Sequence, residues 1–191
     1  MRVLLIDGHP DPDPARFVHA LADAYAEGCE AGGHDLRRLR LADMDFPVLR
    51  SPQEWMESEP CPTIASAQED LSWAQHVVLL YPLWLGDVPA LVKAFLEQIV
   101  RPGFAHRYRE KGLPEKLLTG RSARIVVTMS MPSHFYRLFY FAHSLKSLKR
   151  NIFGFVGFAP VRSTIIGAVG SGPKDRQKDL SAMRELGQSA R

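Results

Sequence analysis

Cysteine is scarce: the 191-residue chain has two, Cys29 and Cys61. Two thiols cannot build a disulfide framework or a four-cysteine zinc site, so both are expected to be reduced, one on a helix and one in a loop. Long apolar runs are also missing. The longest, Val77–Leu85, is about half of what a bilayer-spanning helix needs. No basic segment and small-residue cleavage site open the chain, so a cytoplasmic, non-exported protein is expected. Several chemical signatures are absent as well. Without GxGxxG there is no Rossmann dinucleotide fingerprint, and without GxxxxGK[ST] no ATPase loop. HExxH and Cys/His ligand clusters are lacking, which removes zinc chemistry. GxSxG is lacking, which removes the nucleophile elbow of a hydrolase.

What is there reads as an ordinary globular chain. Apolar residues make up 46% and charged residues 24%, enough to build one core and near the globular average. A single domain over residues 1–191 is expected from that length. Net charge is +3, from 24 Lys and Arg against 21 Asp and Glu. The nearest basic cluster (Arg107, Arg109, Lys111, Lys116, Arg121, Arg124) is interrupted by Glu110 and Glu115. It reads as a solvated loop face, and no nucleic-acid partner is expected.

Apolar runs at 3–7, 76–81, 123–128 and 161–166 read as buried strands, and 35–41 as a fifth. Asp13 and Pro14 read as the N-cap and first residue of a helix that Gly32-Gly33 ends. Further helices are expected over 63–74, 89–101, 134–150 and 175–186, with long loops at 42–62 and 102–122. Strands alternating with helices imply an α/β fold, a doubly wound five-stranded parallel sheet with helices on both faces. In such sheets ligands bind beyond the carboxyl ends of the strands. Three loops leave those ends: 8–14, 82–88 and 129–133. The first leads to a helix N-terminus, a ready anion site, though a simple capped turn explains it equally. The second offers apolar side chains and main-chain N–H donors for a flat apolar ligand with polar edges, with core packing as the alternative for Trp84. Beyond the third, Tyr136, Tyr140 and His143 lie at helical spacing. A Tyr–His pair can donate hydrogen bonds to developing negative charge, and aromatic core packing is the alternative.

Four stretches carry a resemblance. They are Val3–Pro10 (VLLIDGHP) with Phe17, Tyr81–Leu96 (YPLWLGDVPALVKAFL), Pro102–Tyr108 (PGFAHRY), and Lys149–Gly157 with the preceding His143. Together they resemble the flavodoxin-like NAD(P)H:quinone oxidoreductases, a family that also includes drug-activity modulators and ancillary subunits of potassium-efflux systems. The resemblance implies a flavodoxin-like fold and a flavoprotein. NAD(P)H is its co-substrate, hydride passes through flavin N5, and a quinone or similar acceptor takes two electrons by a ping-pong route. It implies that His9, Arg16, Phe17 and Val18 hold the phosphate side. Pro82, Leu83, Trp84 and Leu85 would hold the ring through backbone N–H groups, with Thr128, Met129, Ser130 and Met131 along its other edge. Tyr136 and His143 match the family's active-site Tyr and His. The Tyr match is one residue out of register, so Arg137 falls where the Tyr is expected. Leu85 replaces a second Trp, Met129-Ser130-Met131 replaces a small-residue sequence, and Val18 replaces a polar residue. The first loop is about two residues longer than in the eukaryotic members. FAD is favoured slightly over FMN. A homodimer is expected through 135–141 and 102–108. Two other roles fit the same resemblance: a regulatory subunit in peripheral contact with a membrane transporter, and an azo- or nitroreductase.

Overall fold

The computed structural model describes residues 1–170 and 172–190. In chain order the elements are β1 (Arg2–Asp7), α1 (Phe17–Ala31), β2 (Asp35–Arg40), α2 (Pro52–Met56), α3 (Pro62–Trp73), β3 (His76–Pro82), α4 (Ala90–Ile99), β4 (His106–Arg107), β5 (Glu115–Lys116), β6 (Ser122–Thr128), α5 (Ser133–Leu138), α6 (His143–Ser147), α7 (Gly154–Val156), β7 (Val161–Ile166) and α8 (Pro173–Gln188). All five expected strands join one parallel sheet in the order β2-β1-β3-β6-β7. Burial on both faces explains why the central strands read as unbroken apolar runs. One core holds Leu4, Ile6, Val77, Leu79, Ile125 and Val127 against α3, α4 and the segment from Tyr136 to Phe158. On the opposite face, Val3, Leu5, Val78, Leu80 and Val126 pack on α1 and α8.

The two outer helices touch backbone to backbone. A Cβ on Gly187 would lie 2.1 Å from the Tyr25 carbonyl oxygen, and one on Gly28 would lie 2.1 Å from that of Arg184. Glycine is required at both crossings because no side chain fits there.

Three expectations need correction. Helix α1 starts at Phe17, not Pro14. The cause is a chain of side-chain turns: Asp11 N–H donates to His9 Nδ1, Asp13 N–H to Asp11 Oδ1, and Ala15 N–H to Asp13 Oδ1. Each spans two residues and holds the loop out of helical geometry. The stretch expected to be one helix over 134–150 breaks after α5. Phe141 and Ala142 are left-handed, with φ of 52° and 49°, and a π-helical stretch follows over Leu148–Phe153. The segment 42–62 contains α2, whose N-cap Ser51 accepts from Glu54 N–H while the Glu54 carboxylate accepts from Arg50 N–H.

Candidate active site at the strand ends

Strand β1 has neighbours on both sides, and the chain order reverses between β1 and β3. Two adjoining clefts open at that switch point, where α/β sheets bind ligands. The first, about 310 Å³, is lined by His9, Phe17, Val18, Pro82, Leu83, Trp84, Thr128, Met129, Ser130 and Val169. The second, about 350 Å³, is lined by Leu83, Leu85, Gly86, Met129, Ser130, Met131, Tyr136 and Tyr140. Leu83, Met129 and Ser130 belong to both, so the clefts form one continuous trough.

The end below β1 is built around a buried carboxylate. Asp7 accepts His9 N–H at 3.2 Å on Oδ1 and pairs with His19 Nδ1 on Oδ2. His19 Nε2 faces the Asp11 carbonyl at 2.9 Å. Burial, then the adjacent His19, holds the His9 imidazole below its ordinary value. No side chain caps α1, and Phe17 and Val18 at its first turn face the cleft. An uncapped helix start with its N–H groups in a cleft suits a phosphate. Arg16 is not among the lining residues. Its guanidinium pairs with Asp11 at 2.7 Å and Asp13 at 3.2 Å, so its charge is already matched. A cation that sequence reading missed stands beside Phe17: Arg176 of α8 lies 4.8 Å over its ring. No local motif marks it, because α8 reaches this site only through the fold.

At the β3 end, Trp84 and Asp87 exchange both backbone hydrogen bonds, at 2.9 and 3.0 Å. Leu85 and Gly86 between them have φ of 47° and 82°, the geometry of a tight two-residue turn. Leu83 N–H donates to the Thr128 carbonyl at 2.8 Å. The N–H groups expected to serve a ligand are therefore redistributed. Those of Leu83 and Trp84 are spent inside the protein, while those of Leu85, Gly86 and Ser130 have no partner among the described residues. Gly167 allows the third loop to seat, since a Cβ there would lie 2.2 Å from Ser133 N.

Tyr136 is buried in the wall of the second cleft. Its hydroxyl bonds Ser144 Oγ at 2.8 Å and accepts from Leu145 N–H at 3.3 Å. In an unbroken helix, residue 145 would lie about 13.5 Å further along the axis. Those bonds and the left-handed pair Phe141-Ala142 are one feature: the chain folds back to reach Tyr136. As a result His143 points away. It is exposed, stacks on Phe141 at 5.7 Å, and lines neither cleft. The expected pairing of Tyr136 with His143, and the shared face of Tyr140 and His143, are not met within this chain, because both assumed a continuous helix. Tyr140 reaches the cleft instead.

A family model described as Flavodoxin_2, flavodoxin-like fold, matches residues 1–189. A ribosyldihydronicotinamide dehydrogenase-like protein of Penicillium crustosum is 27% identical over 68% of this chain and 57% of its own length. The FMN-dependent NADH:quinone oxidoreductase 3 of Pseudomonas aeruginosa is 31% identical over 61% of this chain and 53% of its own. The chain thus spans little more than half the length of these curated relatives. An NAD(P)H:quinone oxidoreductase from Methanothermobacter marburgensis superposes with a TM-score of 0.82 at 21% identity, covering 98% of this chain and 96% of that one. Model, strand order and switch-point trough agree, and the chain belongs to the Flavodoxin_2 family.

Proposed function

We propose that the protein is a flavin-dependent NAD(P)H oxidoreductase that reduces a quinone or similar acceptor by two electrons. One observation carries this reading: the trough joins an uncapped helix start to free main-chain donors around an apolar wall. A bound flavin supplies two-electron transfer between a nicotinamide and the acceptor. The α1 N–H groups with His9 would hold its phosphate. Leu85, Gly86 and Ser130 N–H would take the polar ring edge, and Trp84, Leu83 and Met129 would cover its apolar surface and exclude water. The wall of Tyr136 and Tyr140 would orient the acceptor in the second cleft. FMN is preferred to FAD, supported by the FMN-dependent relative in Pseudomonas. Cytoplasmic NAD(P)H is the electron source in this reading, and the working unit is a homodimer; of the two surfaces expected to form it, 102–108 is retained and 135–141, whose neighbouring charges are all cationic, is not.

The absorption spectrum of the purified protein is the test, with mass analysis of released flavin and NADH-driven menadione reduction. A flavin spectrum, FMN as the released species, and turnover are expected. Protein that stays colourless after incubation with both flavins overturns the reading.

A further inference from the structure

From Lys116 to Gly170 the chain carries eight Lys and Arg (116, 121, 124, 137, 146, 149, 150 and 162) and no Asp or Glu. The rest of the chain is therefore net acidic, and basic charge collects in one stretch. Within that stretch the structure exposes Phe135, Leu138, Phe139, Tyr140 and Phe141 at 42–73% of their surface. Large apolar side chains so bare are common singly but not in a cluster. Phe135 and Phe139 stack at 4.9 Å, and Tyr140 packs edge-on against both. The rings thus form one apolar knob. Directly after it, His143, Lys146 and Arg150 share the outward face, while Ser144, Leu145 and Leu148 point into the core. His143 stacks on Phe141 and joins this face to the knob. Arg137, Lys146, Lys149 and Arg150 make no ion pair among the described residues.

We infer that this knob and its cations dock the protein on a lipid surface bearing anionic headgroups. Aromatic and aliphatic side chains beside unpaired Lys and Arg are the composition of interfacial membrane anchors. A second copy of the chain fits less well. A two-fold contact through this face sets Lys146 and Arg150 against cations of the same kind, which disfavours association. A nucleic acid also fits less well, because these rings pack on one another rather than standing apart as stacking platforms. The docked face adjoins the mouth of the second cleft, since Tyr140 belongs to both and the fully exposed Leu85 lies on the cleft rim. If the redox reading holds, an acceptor dissolved in the bilayer reaches the trough without crossing water. Docking itself does not depend on that reading, and its test involves no turnover.

The test is co-flotation with phosphatidylcholine vesicles, with and without about 30% phosphatidylglycerol, at low salt. The anionic vesicles should carry the protein, and the neutral ones should carry about tenfold less or lower still. Each cation contributes about fivefold at such a surface, so Lys146→Glu with Arg150→Glu should weaken anionic binding about 25-fold or more. Leu138→Ser with Phe139→Ser should weaken it about tenfold on both vesicle types. Far-ultraviolet circular dichroism and the melting temperature establish that each variant folds, and the charge variant alone decides the matter if the apolar one does not. Absence of flotation with anionic vesicles overturns the proposal, as does flotation that the charge variant leaves unchanged. Conversion of a dimer to a monomer by the apolar variant, without vesicle binding by the parent, assigns the face to a second copy. Single-stranded DNA bound where vesicles are not assigns it to nucleic acid.

Discussion

Leu85 sits in the left-handed region with its side chain wholly in solvent. That conformation costs an L-residue about 1–2 kcal/mol, and here no packing offsets it. Asparagine tolerates it better, so Leu85→Asn should raise the melting temperature by about 2–4 °C, measured by calorimetry. A fall would show that the turn is not left-handed in solution. His76 carries a second residue-scale consequence. Burial, reinforced by Arg124 and Arg162, holds its imidazole down to about 4. In the unfolded chain it titrates near its ordinary 6.5. Below that pH the unfolded state takes up a proton that the folded state refuses. Its contribution is therefore full above pH 6.5 and is lost as pH falls toward 4. Urea titrations at pH 7 and pH 5 should differ by on the order of 2 kcal/mol from this group, and His76→Gln should shrink the difference. That His9, Phe17, Val18 and Pro82–Leu85 line the trough was legible because short motifs at the strand ends carry them. Which main-chain donors are free was not, because the Leu83–Thr128 bond and the Trp84–Asp87 pair exist only once β3 and β6 lie side by side.

Among the elements, the sheet strands were legible to within a residue or two; double burial writes β1, β3 and β6 as apolar runs, while the edge strand β2 (DLRRLR) shows only an imperfect alternation. Helix α2 also had its signal. Ser51 followed three residues later by Glu54 is a capping box, overshadowed by the prolines around it. The break at Phe141-Ala142 had none. No glycine or proline marks it, and its cause is a tertiary hydrogen bond from Tyr136 to residues eight and nine further on. The α1–α8 crossing makes its own prediction. Gly187→Ala forces a methyl group to within 2.1 Å of the Tyr25 carbonyl oxygen, so the helices must separate. Overpacking of this kind costs typically 1–3 kcal/mol. The midpoint of urea unfolding should fall accordingly, whereas Gly112→Ala, at a position with nothing within 4 Å of the added atom, should cost only what its positive φ imposes.

For the whole molecule, alternating strands and helices fixed the α/β class, and the order β2-β1-β3-β6-β7 located the trough. Association is harder to read, since an interface has no period in sequence. The 102–108 face holds half-exposed Tyr108 in the wall of a cavity of about 200 Å³, where Trp55, Leu96, His106 and Phe155 meet Lys93 and Glu97. Light scattering at micromolar concentration should give twice the 21.4 kDa chain mass, and Tyr108→Asp should return it to a monomer with its melting transition intact. Monomeric parent protein with flavin bound removes the dimer from the proposed function.

The backbone contact between α1 and α8 also has a temporal side. The two helices are separated by residues 32–172, so a ribosome making roughly 5–20 residues per second completes α1 about 7–30 s before α8 begins. Until α8 is made, the α1 side of the sheet lacks half its cover. Once β3 has emerged, Val18, Leu21 and Tyr25 can pack on β1 and β3 but have no Met183 alongside. This half of the core can therefore close only when α8 arrives.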